Sequence, residues 1–222
     1  MSIYKQHIAK AVSSFWDTKA IQGNVLAGKQ LDEFLNLLTQ VAIDAGVPQE
    51  CIYTKSNHIP GFFRATKDWD LLIIAPNNNL VAAIELKSQV GSYGNNLNNR
   101  TEESLGSAED FWVAFREHSF PYRITPWLGY MMVVGEEQQS NHIVKINQPH
   151  YPVRPEFNNT TYLDRYRILC EKLIAERKYS SVALITTHNR NTFESPSDIA
   201  SVDSFINALQ GHIRACKDDF LQ

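Results

Sequence analysis

Residues 70–90 read DLLIIAPNNNLVAAIELKSQV, and this stretch decides the fold. It contains two apolar runs of strand length, separated by a proline and three asparagines, which are residue types that favour a turn. The stretch therefore predicts an antiparallel β-hairpin. With the turn centred between Asn77 and Asn78, Asp70 lies opposite Glu85, and side chains opposed in this way have Cβ atoms about 4.5–5.5 Å apart.

Three charged groups are expected to meet at the open end of this hairpin. Lys87 is two residues from Glu85 and therefore projects from the same face of the strand. Asp70 and Glu85 repel each other unless a cation lies between them, and oxygen ligands are those that Mg²⁺ prefers. We therefore predict a centre in which a metal generates a nucleophile from water, while Lys87 orients or deprotonates that water or neutralises charge on phosphorus. The alternative is a surface ion pair at the strand ends.

These residues resemble the PD-(D/E)xK nuclease signature, with Trp69 in the place of its proline. A closer likeness is carried by IELKSQVGSYGNNLNNRTEESLGSAEDFW at residues 84–112 and by PGFFRATKDWD at residues 60–70. Both stretches are similar to the XhoI-type family of restriction endonucleases. The run GSYGNNLNNR, residues 91–100, is the most unusual part, and the similarity extends from the first predicted helix to about Glu117. Between the first two helices, this chain is shorter than members of that family.

The resemblance implies a type II restriction endonuclease that uses Mg²⁺ to cleave double-stranded DNA at the palindrome CTCGAG and leaves 5′-phosphate ends. It implies Asp70, Glu85 and Lys87 as catalytic residues, with Asp70, Glu85 and the Leu86 carbonyl as metal ligands. A palindrome is naturally read by a two-fold homodimer, and a cognate DNA methyltransferase would act on the same site. Two alternatives stay open: a repair or recombination nuclease that selects DNA structure, and a DNA-binding module with an inert triad.

Polar residues on both sides of the predicted centre are candidates for contacting DNA. Arg64 and Lys67 precede the first acid and suit phosphate contacts, which add affinity without sequence information; solvated loop charges are the alternative. We interpret residues 88–100 as a flexible polar loop whose side chains can read base edges, although asparagine-rich segments are also typical of turns. The candidates in this loop are Ser88, Gln89, Asn95, Asn96, Asn98, Asn99 and Arg100.

The whole chain predicts an α/β fold, in which a mixed central β-sheet is flanked by helices. The order of elements is helix, helix, strand, strand, helix, strand, helix, strand, helix, consistent with the restriction-endonuclease-like (PD-(D/E)xK) fold that the resemblance implies. Outside the hairpin, we expect these elements at residues 2–19, 31–45, 101–117, 127–134, 162–173, 181–187 and 202–213, with a short strand at 52–53 and a long loop at 135–159. We expect residues 1–222 to form a single domain.

Two acids on the predicted helices are further candidates for the neighbourhood of the metal. Glu33 lies away from the apolar stripe of its helix, so a solvated side chain is the favoured interpretation. Glu103 lies in the first turn of the helix predicted to begin at Thr101, where an acid suits the helix dipole.

Composition limits the class of protein. The chain has 222 residues, of which 43% are hydrophobic and 20% charged, which are ordinary globular values. A net charge of −3 and a pI near 6.2 do not favour a strong non-specific nucleic-acid binder, so any basic cleft must be local. No apolar run approaches the roughly 20 residues that span a bilayer, and residues 1–20 lack the apolar core of a secretory signal. We therefore expect a cytoplasmic protein whose three cysteines are reduced thiols.

Overall fold

The structure is a computed structural model, and it describes residues 3–22, 29–121, 123–148 and 150–221. The first residue of the predicted first helix, and residues 23–28 of the short connection between the first two helices, lie outside these ranges. The helices are α1 (Lys5–Gln22), α2 (Asp32–Asp44), α3 (Tyr93–Arg116), α4 (Tyr162–Ala175) and α5 (Val202–Ala215). The strands are β1 (Ile52–Tyr53), β2 (His58–Pro60), β3 (Thr66–Asp68), β4 (Leu71–Ile74), β5 (Leu80–Gln89), β6 (Trp127–Gly135), β7 (Ser181–Asn189) and β8 (Thr192–Glu194).

Six strands form a mixed sheet in the order β1-β4-β5-β6-β7-β8. The strands β5, β6 and β7 are parallel, whereas β1, β4 and β8 pair antiparallel to their neighbours. β6 is buried along its whole length, as expected for a parallel strand that is covered on both faces. This arrangement confirms the predicted fold class. β2 and β3 form a separate two-stranded ribbon.

The sheet separates two apolar cores. One contains residues of α1, α2 and α5, and the other contains residues of α3 and α4. Alternation along β5 places Ile84 and Leu86 in the first core and Ala83 in the second. Glu85 therefore projects from the face that α3 and α4 cover.

The register of the predicted hairpin is confirmed. β4 and β5 pair antiparallel, with Leu71 opposite Ile84 and Leu72 opposite Ala83, so the next position outward sets Asp70 opposite Glu85. The pairing keeps this register up to Ile73 and shifts by one residue beyond it, close to the turn. The end of the hairpin that carries the charged residues keeps the predicted alignment.

The prediction of a flexible loop at residues 88–100 is wrong. β5 continues to Gln89, and α3 begins at Tyr93, so the helix starts well before the predicted Thr101. Gly91 and Ser92 have φ of 70° and 46°, and these two left-handed residues turn the chain from β5 into α3. Asparagine and glycine are weak helix formers, but burial of one helix face overrides that low propensity.

The described residues of the predicted long loop at 135–159 are largely irregular from residue 136 onward (136–148 and 150–159), apart from a short 3₁₀ turn at Pro155–Phe157 and a bridge between Ile143 and Thr161. Cys51, Cys170 and Cys216 are free and buried. Within the part of the chain that the structure describes, no helix is long and apolar enough to cross a membrane.

Candidate active site

Two lysines hold the carboxylate of Glu85 at the open end of the hairpin. Lys87 Nζ contacts Glu85 Oε1, and Lys67 Nζ lies 2.8 Å from Glu85 Oε2. The Glu85 side chain is 7% exposed, so this carboxylate is nearly desolvated and both of its oxygens are paired. A buried charge is tolerated only when it is paired in this way. The second lysine comes from β3, outside the hairpin, and its contact with Glu85 was not predicted from the sequence.

Trp69 explains how Lys67 is positioned. The indole is buried, and Lys67 Nζ lies 4.4 Å from the ring centroid, within the range of a cation–π contact. Lys67 Nζ also donates to the carbonyl oxygen of Asp68 at 3.0 Å. The residue that stands where the PD-(D/E)xK signature has proline therefore supports a cation beside the second acid.

Asp70 completes the cluster from the β4 side. Its Oδ2 accepts a hydrogen bond of 2.6 Å from the Leu86 backbone N–H, which fixes the carboxylate against β5. Burial raises the pKa of Asp70, and the negative charge of Glu85 raises it further. The Leu86 hydrogen bond and the charges of Lys87 and Lys67 act in the opposite direction but do not cancel the effect. The negative charge of Glu85 therefore adds to burial in destabilising the ionised form of Asp70, as expected for two opposed acids.

The carbonyl of Leu86 faces the same edge of β5 as its N–H, because both groups of one strand residue point towards the same neighbouring strand. That N–H points to Asp70. The Leu86 carbonyl therefore points towards β4, the side from which Asp70 approaches, and it offers oxygen, as the carboxylates of Asp70 and Glu85 do, which is the donor chemistry that suits Mg²⁺. Within the described ranges, no group of three or more His, Cys, Asp and Glu side chains could hold a metal. Two carboxylates alone are too few ligands to hold the ion, so a backbone oxygen, water or phosphate must complete its coordination.

The asparagines predicted as DNA contacts lie on the first turns of α3. Asn95, Asn98 and Asn99 are exposed and are spaced three and four residues apart, so they share one helix face, whereas Asn96 is half-buried. Together they form a polar surface that begins six residues after the end of β5.

The other residues of that predicted loop are less accessible. Gln89 is buried; its Nε2 donates to the Gly91 carbonyl, and its Oε1 has no hydrogen-bond partner among the described residues. Arg100 pairs with Glu103 at 2.6 Å, and its second terminal nitrogen lies 3.5 Å from the carbonyl oxygen of Ser88. In this structure, Arg100 therefore joins α3 to the end of β5.

Arg64 pairs with a buried acid that the sequence analysis missed. Arg64 Nε lies 2.9 Å from Asp110 Oδ2 on α3, and the Asp110 side chain is 3% exposed. The sequence signal for this acid was its place on the apolar stripe of α3, beside Phe111 and four residues before Ala114, where an acid needs a partner.

Glu33 and Glu103 have partners of their own. Glu33 pairs with Lys10 of α1 at 2.8 Å. Glu103 pairs with Arg100 and lies in the middle of α3, so the expected contact with the helix dipole in the first turn is wrong.

Comparisons with known proteins agree with this geometry. Residues 13–197 match the family described as restriction endonuclease XhoI. The chain is 43% identical over 202 residues to the type II restriction enzyme BstVI of Geobacillus stearothermophilus, covering 86% of this chain and 90% of that protein. It is 38% identical over 180 residues to the type II restriction enzyme XhoI of Xanthomonas vasicola, covering 73% and 72% of the two chains. The type II restriction enzyme AbrI of Azospirillum brasilense is 38% identical over 165 residues, covering 67% and 74%.

No solved structure gives a significant match. The family match covers all six strands of the main sheet and the whole of the cluster formed by Asp70, Glu85 and Lys87. The chain therefore belongs to the XhoI restriction endonuclease family.

Proposed function

We propose that the protein is a type II restriction endonuclease that uses Mg²⁺ to cleave both strands of duplex DNA at a palindrome and leaves 5′-phosphate ends. The observation that carries this proposal is the hairpin register, which brings Asp70 against Glu85 with Lys87 on the same strand face. The likeness to XhoI-type enzymes supports CTCGAG as the recognition sequence.

We assign the metal to Asp70, Glu85 and the Leu86 carbonyl. When bound, the ion supplies Lewis-acid activation of water and of the scissile phosphate. The protein residues fix where this happens, because the Leu86 N–H holds Asp70 and the two lysines hold Glu85. Burial and, after it, the charge of Glu85 raise the pKa of Asp70, and a cation between the two acids would stabilise the ionised form of Asp70.

We assign different roles to the two lysines. The Lys87 side chain is 28% exposed and that of Lys67 is 10% exposed, so Lys87 is the more accessible to substrate. Lys87 Nζ orients the attacking water or donates to a phosphoryl oxygen as negative charge builds there. Lys67 maintains the orientation of Glu85 and lowers the repulsion between the acids and the DNA backbone.

We place sequence reading on the exposed face of α3 formed by Asn95, Asn98 and Asn99, because asparagine makes bidentate contacts to adenine in the major groove. Asn96 lies beside this face. Ser88, Gln89 and Arg100 support the start of α3 from β5, while Arg64 and Lys67 supply positive charge next to the cleavage centre.

We further propose that the chain is a single domain that acts as a homodimer, with one subunit cutting each strand of the palindrome. The expected partner activity is a DNA methyltransferase that protects the same site without binding this protein. The proposed location is the cytoplasm, where such an enzyme meets invading DNA.

A pair of plasmids that differ only by one CTCGAG site tests the proposal. The purified protein is incubated with each plasmid in Mg²⁺, and the ends are mapped. A single cut confined to the plasmid with the site supports the whole proposal. Discrete cuts elsewhere would retain the restriction activity and change the sequence, whereas nicking without preferred positions would favour the structure-selective nuclease. No cleavage with any divalent metal would favour the inert module.

A further inference from the structure

Two adjacent phenylalanines are exposed at the tip of the β2–β3 ribbon. Phe62 is 50% exposed and Phe63 is 70% exposed, and their rings meet edge to face with centroids 5.0 Å apart. A single exposed apolar residue is normal. A contiguous apolar patch on a surface of otherwise polar character marks a contact with another molecule.

The backbone of this tip is held by the buried acid of α3. Asp110 Oδ1 accepts hydrogen bonds from the N–H groups of Phe62 at 3.0 Å and Phe63 at 2.7 Å, while Asp110 Oδ2 pairs with Arg64 Nε at 2.9 Å. A side chain on Gly61 would place its Cβ 2.6 Å from Asp110 Oδ2, so only glycine permits this close approach. A buried carboxylate thus fixes the backbone beneath two exposed rings.

The tip is continuous with the candidate active site. Lys67 comes four residues after Phe63, a span of at most about 13 Å in extended chain, and Lys67 Nζ pairs with Glu85. The opposite anchor, Asp110, lies on α3, the helix whose first turns carry the exposed asparagines. The ribbon also carries Arg64 and Lys67, whose charges balance those of the buried acids Asp110 and Glu85, so that no net negative charge beneath the rings repels a polyanion.

We propose that Phe62 and Phe63 form an apolar wedge that inserts at a base step of the bound duplex, next to the scissile phosphate. The inference rests on the proposed function, since it requires that the protein bind duplex DNA. Apolar side chains that enter a base step partly unstack it and bend the duplex. The wedge therefore sets the position of the phosphate relative to Asp70 and Glu85, and Asp110 acts as a positioning residue that holds the wedge.

Fluorescence of 2-aminopurine tests the wedge directly, because unstacking this base raises its emission. The cut is first mapped with wild-type protein and Mg²⁺. Duplexes with 2-aminopurine at each position within about three base pairs of the cut are then bound with Ca²⁺ in place of Mg²⁺. We expect a rise in emission at one base step with wild-type protein and none with Phe63→Ala. We also expect Phe63→Ala to weaken duplex binding by about 5- to 150-fold, the range for losing one base–aromatic contact.

Three controls separate the wedge from other effects. Ile199→Ala removes another exposed apolar side chain, from the segment before α5, and should leave both binding and emission unchanged. Because the Phe63 ring is largely exposed, its loss should not lower the melting temperature. Gly61→Ala keeps both rings but displaces the backbone at Asp110, so it too should abolish the emission change.

The outcomes distinguish this inference from the proposed function. Specific cleavage by wild-type protein, combined with unchanged binding and emission for Phe63→Ala, would overturn the wedge and leave the restriction activity standing. Absence of both binding and cleavage by wild-type protein would overturn both. If Phe63→Ala instead abolishes a dimer seen by sedimentation, the rings belong to a contact between copies of the chain, and the wedge is wrong.

Discussion

Asp70→Asn should stabilise the protein when no metal is bound and should abolish its stabilisation by metal. The variant removes one of two carboxylates that face each other across the hairpin, and it keeps an oxygen that can accept the Leu86 N–H. Because burial and the charge of Glu85 raise the pKa of Asp70, the ionised wild-type side chain opposes folding. The amide that replaces this carboxylate carries no charge and does not oppose folding in this way.

The magnitude follows from the geometry. Two unit charges about 5 Å apart repel by about 3 kcal/mol at an effective dielectric constant of about 20. Lys67 and Lys87 offset most of this repulsion, since each contacts Glu85. We therefore expect Asp70→Asn to raise the free energy of unfolding by about 1 kcal/mol, which corresponds to about 2–4 °C in melting temperature for a chain of this length.

The effect depends on pH in a defined direction. The folded-state pKa of Asp70 lies above its unfolded value, so protonation at low pH relieves the wild-type protein. The advantage of Asp70→Asn is therefore fully present above the folded-state pKa and disappears as pH falls towards the ordinary value of 3.8.

Thermal melting of wild-type protein and Asp70→Asn in EDTA and in Mg²⁺ measures both effects. Mg²⁺ at about ten times its dissociation constant should stabilise the wild type by about 1.4 kcal/mol and should leave the variant unchanged. Asp68→Asn is the matched control, because Asp68 lies two residues earlier and its side chain is 82% exposed. A variant that is less stable than wild type in EDTA at pH 8, or that responds equally to Mg²⁺, would refute the reasoning.

Three other substitutions test separate parts of the site and of the core. Lys87→Ala should reduce the single-turnover cleavage rate at least about 100-fold while duplex affinity, measured by fluorescence anisotropy, stays within about threefold; full activity would remove Lys87 from catalysis. Lys67→Ala removes a cation that competes with metal for one oxygen of Glu85, so calorimetric titration of the protein without DNA should show tighter Mn²⁺ binding. The same variant should bind DNA more weakly. Weaker Mn²⁺ binding would contradict this competition. Gly129→Ala would place a Cβ against the ring of Trp127 and 2.9 Å from the ring of Phe205 inside the core. It should cost about 1–3 kcal/mol in urea unfolding, whereas an unchanged midpoint would show that the core relaxes at no cost.

The hairpin could be predicted because the residues that determine its register lie close together in the sequence. A turn signal between two apolar runs fixes the register, and the register alone sets Asp70 opposite Glu85. Lys87 then follows from the two-residue period of a strand. These three positions could be derived without knowing how the helices pack.

The start of α3 was mispredicted because two local signals conflicted. Glycine and four asparagines within residues 94–99 argue against a helix, yet Tyr93 and Leu97 are buried at helical spacing and continue the stripe of the later turns. The burial of Tyr93 and Leu97 outweighed the low helix propensity of the glycine and the asparagines. The periodicity of the apolar residues was the stronger signal, and polar composition was not evidence of flexibility.

The contacts of Lys67 and Asp110 could not be predicted from the sequence. Lys67 meets Glu85 only because the β2–β3 ribbon folds back beside β5, and Asp110 meets residues 62–64 only because α3 lies against the tip of that ribbon. Both contacts join segments that are far apart in sequence. They depend on docking geometry, which no local pattern encodes.

Metal-directed cleavage of the protein itself tests the location of the active centre most directly. Fe²⁺ takes the place of Mg²⁺ in the presence of ascorbate and peroxide, and the radicals formed at the ion cut the polypeptide nearby. We predict cuts near Asp70 and at residues 85–87, suppressed by excess Mg²⁺ and absent in Asp70→Asn. Mg²⁺-sensitive cuts elsewhere in the chain, with none at these two segments, would contradict the assignment of the metal to Asp70 and Glu85.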